Sequence, residues 1–439
     1  MAKVYSSAAP KKIKSFDFSK RPCKPTFLMS VAKGIISFPD LKKRGTVIRK
    51  NGMEGIEGKP YLLLINHASM VDFNLMLKST HPYPVNNVMT LEGFRDYTYP
   101  LMYLLGVLGK RKFINDAHLL KNMKYCLHTL KTVFVLFPEA RYSLDGKTSY
   151  LPRSLGNLAK VLGVPVVMLK IRGNFVACPQ WNKKNKKTPV EADMFPIVKA
   201  DELDSLSADE IFDRISESFR YDDFAWQYEN KIKIDDQGRA DGLHRLLYKC
   251  PHCGEEFRMD SAGIELWCDA CKKRWIMDEY GRLNATEGET EFAHIPDWSD
   301  WERECVRKEI REGTYYFEDD VRVETLPSWT KFYKHGMGKF IQTPSGTTIQ
   351  CNCYGAPYTL FKKPLNLESV HIEYDYLGKG DCVDISIADD SFWCYFTKRD
   401  VITKISFATE EIFFFEQEKK LAKRRQRAEA VAAQKSTDD

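Results

Sequence analysis

An apolar run that ends in polar residues dominates the first half of the chain, since residues 61–72 read YLLLINHASMVD. The segment 61–65 has the length and composition of a buried strand, and His67 and Asp72 follow it. On one continuous helix, five residues turn about 500°, which would hold these two side chains about 140° apart. If His67 lies instead at a strand-to-helix elbow and Asp72 one turn inside the helix, the carboxylate reaches Nδ1 and leaves Nε2 exposed as a general base. The pattern predicts this dyad, and a chance His and Asp near a strand end is the alternative.

Apolar runs continue to alternate with amphipathic stretches on both sides of this segment, over residues 26–235. The predicted strands are 46–49, 61–65, 87–91, 132–137 and 165–170, and the predicted helices are 73–78, 117–130 and 154–162. Ser207 and Glu210 have the spacing of a capping box that opens a further helix. We therefore expect an α/β domain at 26–235, built on a mixed, largely parallel sheet that is flanked by helices.

Two C-x2-C pairs follow this domain, Cys250 with Cys253 and Cys268 with Cys271, and fourteen residues separate the pairs. Each pair can present two sulfurs to one tetrahedral ion, and four thiolates favour Zn²⁺ in a closed structural site. A single pair would suffice for a redox dithiol, so the second pair disfavours that alternative. We predict a structural zinc ribbon at 245–282, in which His252 is a bystander.

Beyond the ribbon, short aromatic and β-branched runs alternate with turn residues, which is typical of an antiparallel β domain. We place this β-rich accessory domain at 300–415 and a charged, partly helical tail at 416–439. The pattern suggests a small barrel closed by a helix. Cys351 and Cys353 share one face of a predicted strand, which is compatible with metal binding, but buried free cysteine is the more common explanation.

The composition and charge of the 439 residues exclude several classes of protein. With 43% hydrophobic residues the chain is neither disordered nor fibrous, and it lacks the run of about 20 uncharged residues that a membrane helix needs. No signal peptide precedes the first lysines, so the twelve cysteines are expected as thiols or metal ligands rather than disulfides.

Basic residues are concentrated near the N-terminus, where residues 1–50 carry thirteen Lys and Arg against two acids. We expect residues 1–25 to form a flexible basic segment. The apolar segment 27–38 lies between basic clusters, which favours a helix that docks on an anionic lipid surface. Packing of that helix on the core of the α/β domain is the alternative.

Three more segments with a recognisable pattern follow the His67–Asp72 element along the chain. They are GKRKFI at 109–114, FPEAR at 137–141 and GVP at 163–165. Taken in order, the four segments resemble the sequence blocks of the glycerolipid acyltransferase family, which includes the lysophosphatidate acyltransferases. The resemblance covers residues 30–235. It departs from the family pattern at Ala140, where glycine is usual, and at Arg141, which stands one position early. The GKRKFI segment also lacks the usual spacing, since its three basic residues stand in a row.

The resemblance implies a role for each matching residue. His67 would take the proton of a glycerol hydroxyl that attacks an acyl thioester, and Asp72 would orient His67, without a covalent acyl-enzyme. The residues implied in binding the acceptor are Asn66, Lys110, Arg111, Lys112, Glu139 and Arg141. Arg111 is favoured as the phosphate ligand because a guanidinium binds phosphate in a bidentate manner. A solvated surface charge is the alternative for each basic residue, and a structural hydrogen bond is the alternative for Glu139.

We therefore predict an O-acyltransferase of phospholipid biosynthesis that converts lysophosphatidate to phosphatidate, with acyl-CoA or acyl-carrier protein as the donor. It would lie in the cytoplasm, peripherally on the inner face of an anionic membrane. One alternative keeps the fold as a lipid-binding or regulatory protein without the chemistry, because the FPEAR segment is altered. The other alternative is a zinc-ribbon nucleic-acid binder. The acidic residues of the ribbon disfavour phosphate, so no nucleic-acid partner is expected. These residues are Glu255, Glu256, Asp260, Glu265 and Asp269.

Overall fold

Three β-sheets follow one another along the chain in the computed structural model. The structure describes residues 13, 15–94, 97–114, 116–182, 184, 186 and 188–435, so the predicted flexible segment 1–25 lies in part outside the described residues. The helices are α1 (Phe27–Lys43), α2 (Val71–Thr80), α3 (Tyr99–Leu104), α4 (Ala117–Lys124), α5 (Ser154–Leu162), α6 (Asn174–Ala177), α7 (Ala208–Ser218), α8 (Asp223–Glu229), α9 (Ile295–Glu312) and α10 (Ile402–Lys435).

The first sheet is mixed and largely parallel, as the sequence predicts. Its strands are β1 (Val47–Lys50), β2 (Leu62–Ile65), β3 (Val85–Thr90), β4 (Val107–Lys110), β5 (Val133–Leu136), β6 (Val166–Arg172) and β7 (Glu191–Val198). Their order in the sheet is β1-β7-β6-β2-β5-β3-β4. Neighbouring strands are parallel except for β6 and β7, which are antiparallel.

Helices cover both faces of this sheet, which explains why its strands read as continuous apolar runs. Successive side chains of a strand point to opposite faces. In β2, Leu62 and Leu64 pack with the core residues of α4, α5 and α7. Leu63 and Ile65 pack on the other face, with residues of α1 and α2. Side chains on both faces of β2 are therefore buried in the two cores that flank the sheet.

The sequence does not predict β4 and β7, and each of these strands contains a residue that is unfavourable in a strand. β4 is short and contains Gly109. β7 contains Pro196, which lies opposite Val167 where the register with β6 shifts. Because Pro lacks an N–H, it is tolerated in a sheet only at an edge or at such an irregularity. The capping box at Ser207 and Glu210 is confirmed at the start of α7.

The parallel strands β2, β5, β3 and β4 end at the same edge of the sheet, and this edge gathers the predicted functional segments. His67 follows β2, Glu139 follows β5, and Lys110 ends β4. β5 is the direct neighbour of β2, whereas β4 is three strands away, a separation of about 14 Å at about 4.8 Å per strand. The FPEAR segment therefore lies closer to His67 than the basic segment 110–112 does.

The second and third sheets are antiparallel. The second comprises β8 (Met259–Ala262), β9 (Glu265–Cys268), β10 (Arg274–Met277) and β11 (Leu283–Ala285). The third comprises β12 (Phe317–Thr325), β13 (Tyr333–Thr343), β14 (Gly346–Cys353), β15 (Ala356–Lys362), β16 (His371–Glu373), β17 (Cys382–Ser386) and β18 (Ser391–Phe396). β15 and β16 lie at its opposite edges, so these strands form an open sheet instead of the small closed barrel that the pattern suggests.

Helix α10 begins at Ile402, well before the predicted start of the charged tail at residue 416. Its first turns carry Ile402, Ile405 and Ile412, which are buried in the core shared with the second and third sheets. The helix is thus buried over residues 402–413. It continues into the exposed residues 418–427, which include the basic residues of the predicted tail.

The third sheet is joined to the first through Arg111. Its guanidinium donates hydrogen bonds to the carbonyl oxygens of Leu326 (3.0 Å), Pro327 (2.8 Å) and Asp389 (2.9 Å). A fourth bond, of 3.0 Å, goes to the hydroxyl of Ser391. Beside this clamp, an aromatic cluster combines Phe94 and Tyr99 of the first domain with Trp329 of the loop between β12 and β13. Phe16, which belongs to the segment predicted to be flexible, packs on this cluster. The interface is therefore both apolar and hydrogen-bonded.

Replacement of Arg111 by Met should weaken this interface, because buried carbonyl oxygens lose their donors while most of the side-chain volume stays. We expect a loss of about 3 kcal/mol in the free energy of unfolding, measured by urea titration. Arg220, whose side chain is 78% exposed, provides the matched control, and Arg220→Ala should change stability by less than about 0.5 kcal/mol. Equal effects of the two substitutions would contradict the clamp.

Candidate active site and metal centre

The predicted contact between His67 and Asp72 is present. His67 lies in the turn between β2 and α2, and Asp72 is in the first turn of α2. The distance from His67 Nδ1 to Asp72 Oδ2 is 2.9 Å. A carboxylate accepts this hydrogen bond, so the contact favours the tautomer with the proton on Nδ1 and the lone pair on Nε2.

The Asp72 carboxylate is fully buried and is held by several donors. Oδ2 accepts the backbone N–H groups of Ala68 (2.7 Å) and Ser69 (3.0 Å), and Oδ1 accepts the side-chain amide of Asn174 (2.5 Å). These donors, together with the N-terminal end of α2, compensate a negative charge that is removed from water. Sequence reasoning missed Asn174, which comes from the start of α6 after β6 and carries no local signal of this contact.

The imidazole of His67 is placed between two aromatic rings. Ring centroids of Phe137 and Tyr142 lie 4.3 and 4.2 Å from that of His67. The His67 side chain keeps 22% of its surface exposed. Within the part of the chain that the structure describes, Nε2 has no hydrogen-bond partner. The arrangement fixes the plane of the ring and leaves its basic edge accessible.

Glu139 holds the main chain of the histidine loop. One carboxylate oxygen accepts the backbone N–H of His67 at 2.7 Å, and the other accepts that of Ser149 at 2.6 Å. Burial raises the pKa of Glu139 to about 7, although both N–H groups oppose the shift. With 2% exposure, this carboxylate makes the structural hydrogen bonds that the sequence left as the alternative to contact with an acceptor hydroxyl.

Asn66 is likewise fully buried, in contrast to its predicted contact with substrate. Its amide nitrogen donates to the carbonyl of Ile171 at 2.9 Å, and its amide oxygen accepts the N–H of Ile171 at 2.8 Å. Asn66 therefore continues the pairing of β2 with β6 beyond the end of β2, because its side chain replaces a backbone partner.

The basic segment that follows β4 is occupied by protein groups. Lys112 pairs with Asp384 at 2.7 Å and Glu92 at 2.5 Å. Burial alone would lower the pKa of Lys112, but the two carboxylates raise it above its ordinary value. Lys110 donates to the carbonyl of Ile114 at 2.6 Å, and Arg111 forms the clamp described above. Arg111 and Lys112 thus contact protein acceptors in place of the predicted phosphate.

Arg141 also has a protein partner, which the sequence did not reveal. Its guanidinium donates to Glu410 of α10 at 2.7 Å, and both side chains are nearly inaccessible. Glu410 accepts further bonds from Arg303 at 2.8 Å and from the hydroxyl of Ser369 at 2.7 Å. Ala140, just before Arg141, has φ = 56°, a backbone turn that redirects the arginine toward α10. The predicted phosphate ligand is therefore part of an interdomain ion pair.

A cavity of about 420 Å³ borders this ion pair, between the first domain, α9 and α10. Its cationic side chains have anionic partners: Lys147 pairs with Asp300, and Arg303 and Arg307 both pair with Glu411. These cations are therefore engaged by carboxylates of the protein.

The four predicted zinc ligands come together beside the second sheet, at the end of β9 and in the turns next to it. The Sγ atoms of Cys250, Cys253, Cys268 and Cys271 all lie within 4.8 Å of one another. Two of these distances are 3.7 Å (Cys250 to Cys271) and 3.8 Å (Cys253 to Cys268). Sulfurs placed about 2.3 Å from a zinc ion at tetrahedral angles are about 3.8 Å apart. The cluster therefore fits one structural Zn²⁺. His252 is outside it, with Nδ1 3.3 Å from Glu291.

Among the described residues, no helix combines the length and the apolar content that a bilayer span requires.

Comparison with known proteins adds little to this geometry. No protein-family model matches the chain, and no curated protein matches it. Among solved structures, the chain is similar to the 1-acyl-sn-glycerophosphate (LPA) acyltransferase PlsC from Thermotoga maritima. The match has 19% identity and a TM-score of 0.35, and it covers 43% of this chain and 76% of that chain. A likeness at this TM-score is too weak to support a function, which we infer from the side-chain geometry instead.

The metal centre is tested by the zinc content of the purified protein, for which we expect about one equivalent per chain. Cys253 is the exposed member of the cluster, so Cys253→Ser should lose most of the metal with the least disturbance of packing. Cys305, which lies outside the cluster, is the control, and Cys305→Ser should retain its zinc. Plasma emission spectroscopy measures all three proteins. A wild-type value near zero would refute the ribbon.

Proposed function

We propose that the chain is an O-acyltransferase that moves a fatty acyl group from a thioester carrier to a hydroxyl of a glycerol-phosphate-type lipid, as in the conversion of lysophosphatidate to phosphatidate. The observation that carries the proposal is the 2.9 Å contact between His67 and a buried Asp72, with Nε2 accessible. The choice of acceptor follows the resemblance of the sequence segments.

The proposed reaction uses His67 twice. Nε2 accepts the proton of the acceptor hydroxyl while the hydroxyl oxygen attacks the thioester carbonyl. Asp72 fixes the ring and stabilises the imidazolium that forms. When the tetrahedral intermediate collapses, the carbon–sulfur bond breaks, and the leaving thiolate takes the proton from Nε2. The products are the ester and the free thiol of acyl-CoA or acyl-carrier protein.

The acceptor phosphate needs a ligand other than the basic residues implied by the resemblance. Arg111, Lys112 and Arg141 already pair with protein groups. Lys110 ends β4, about 14 Å from β2 by strand spacing, whereas only a few bonds join the phosphate and hydroxyls of a glycerol phosphate. We therefore leave the phosphate unassigned and confine the proposal to the chemistry at the hydroxyl.

Access to a lipid acceptor is proposed through the exposed side of α1. One side of this helix packs on α2, with Leu41 buried, whereas Phe27 and Leu28 are 70% and 77% exposed. Met70, next to the His67 loop, is 71% exposed. Lys42 and Lys43 in the last turn of α1 would attract an anionic surface. The two predicted roles of α1 can therefore coexist. The side with Leu41 packs on the α/β domain, and the side with Phe27 and Leu28 is free to contact lipid.

A lipid-binding or regulatory protein without catalysis is the second candidate, and it is favoured by the internal pairing of Arg111, Lys112 and Arg141. It differs from the first in one measurable respect. A non-catalytic protein binds lipid vesicles but releases no thiol from acyl-CoA or acyl-carrier protein, whichever acceptor is supplied.

Substitution of His67 by Ala tests the general base. We expect acyl transfer to lysophosphatidate to fall by about 10²–10⁴, because the hydroxyl proton loses its acceptor. His118, an exposed residue of α4, is the matched control, and His118→Ala should keep wild-type activity. Radiolabelled acyl transfer measures the rates, and circular dichroism compares the folds. Wild-type turnover by folded His67→Ala protein would exclude the proposed role.

Vesicle sedimentation tests the membrane contact of α1. Burial of a leucine side chain contributes about 1.5–3 kcal/mol, so Leu28→Asp should weaken binding to phosphatidylglycerol vesicles at least tenfold. Leu421, an exposed leucine of α10, is the control, and Leu421→Asp should bind like wild type. We expect phosphatidylcholine vesicles to bind more weakly. Equal binding to both lipids would contradict the contribution of charge.

A further inference from the structure

Two cysteines of the third sheet lie unusually close together. Cys351 and Cys353 are neighbours on one face of β14, and the distance between their Sγ atoms is 3.0 Å. Asn352, between them, points to the exposed face. We propose that Cys351 and Cys353 form a redox-active dithiol, which a low-molecular-weight disulfide such as oxidised glutathione closes to an intramolecular disulfide. This inference is independent of the proposed acyl transfer.

The two thiols are not equivalent, which gives the reaction an order. The hydrogen bond from Cys353 lowers the pKa of the Cys351 thiol, against the effect of burial. For Cys353 the same hydrogen bond has the opposite effect and raises the pKa of its thiol, and burial raises this pKa further. Cys351 is therefore the better nucleophile, since the thiolate is the reactive form.

The exchange consumes one molecule of oxidant and has two steps. The Cys351 thiolate attacks a sulfur of the glutathione disulfide, forms a mixed disulfide and releases one glutathione thiol. The sulfur of Cys353 then attacks the Cys351 sulfur and releases the second glutathione. The disulfide of the oxidant is reduced to two thiols, which take up the two cysteine protons, and the two cysteines are oxidised.

The pair belongs to the apolar core of the third sheet, one strand away from the edge of that sheet. β14 is covered on one side by β15, an edge strand, and the turn at Tyr354 and Gly355 follows Cys353 directly. Each cysteine retains 9% exposure, whereas Cys394 on β18 has none. Residues two apart on a strand have Cα atoms about 6.7 Å apart, near the upper limit for a disulfide of about 6.8 Å. The closed form is expected to be strained and therefore easily reduced.

The pair also lies near the attachment of the third sheet to the first. Tyr354, the residue after Cys353, donates to the carboxylate of Asp390 at 3.1 Å. The residues on either side of Asp390 provide two of the four acceptors for Arg111. A disulfide at Cys353 would thus alter the backbone next to Tyr354. Tyr354 holds Asp390, whose two neighbours in the chain accept hydrogen bonds from Arg111.

A metal ion is the competing explanation for two close thiols. In the described part of the chain, the ribbon is the one cluster in which three or more ligands lie close enough for a shared ion. Cys351 and Cys353 lack such a third ligand there, and this favours reaction between the two sulfurs.

Peptide mass spectrometry of the full-length protein tests the proposal. The tryptic peptide 340–362 contains Cys351 and Cys353 and no other cysteine. After treatment with oxidised glutathione, denaturation and alkylation, this peptide should carry no alkyl group and be lighter by two hydrogen atoms. Treatment with dithiothreitol before alkylation should restore two alkylated cysteines.

The peptide 380–398 provides an internal control with two buried cysteines, Cys382 and Cys394. These belong to core clusters on opposite faces of the third sheet, so both should remain thiols and be alkylated after denaturation. In the Cys351→Ser variant, the loss of two hydrogen atoms should disappear from peptide 340–362. Two alkyl groups or two glutathione adducts on the oxidised wild-type peptide would overturn the proposal, and so would a cross-link to another peptide.

Discussion

The buried carboxylate of Asp72 determines the shape of the segment on which the candidate active site depends. A charged group removed from water must be compensated by hydrogen bonds or by an opposite charge. Here the compensation comes from the His67 ring, two backbone N–H groups and the amide of Asn174. All of these donors would have to be satisfied elsewhere if the turn between β2 and α2 changed its path. The carboxylate therefore fixes the loop and the imidazole together.

A second carboxylate acts on the same loop from the neighbouring strand. Glu139 binds the backbone N–H of His67 while Asp72 binds its side chain, so the residue is held at both ends. The contact is possible because β2 and β5 are direct neighbours in the sheet. Two hydrogen bonds make the buried position of Glu139 acceptable. Its oxygens accept the backbone N–H groups of His67 and Ser149, which lie in loops and have no strand partner.

Local signals in the sequence were sufficient for the features that form within a few residues. The elbow between β2 and α2, the capping box at Ser207 and the four-cysteine cluster depend on short spacings, and the structure contains all three. The partners of the basic residues could not be predicted in this way. Arg111 and Arg141 contact groups more than 200 positions away along the chain, and a charge pattern does not indicate which distant acceptor will cover it. The sequence alone does not distinguish an arginine that binds phosphate from an arginine that binds a backbone carbonyl.

The internal pairing of these cations changes what can recognise an acceptor near His67. Buried cations with good partners are costly to separate, since the remaining charge loses its compensation. The rings of Phe137 and Tyr142 lie against the imidazole, and the exposed Met70 contacts the Tyr142 hydroxyl. Contacts of this kind favour an acyl chain or a membrane surface over a particular head group. If the chain transfers acyl groups, selection of the acceptor would therefore depend more on where the lipid lies than on its charge, and the dyad would act on whichever hydroxyl the surface presents to Nε2.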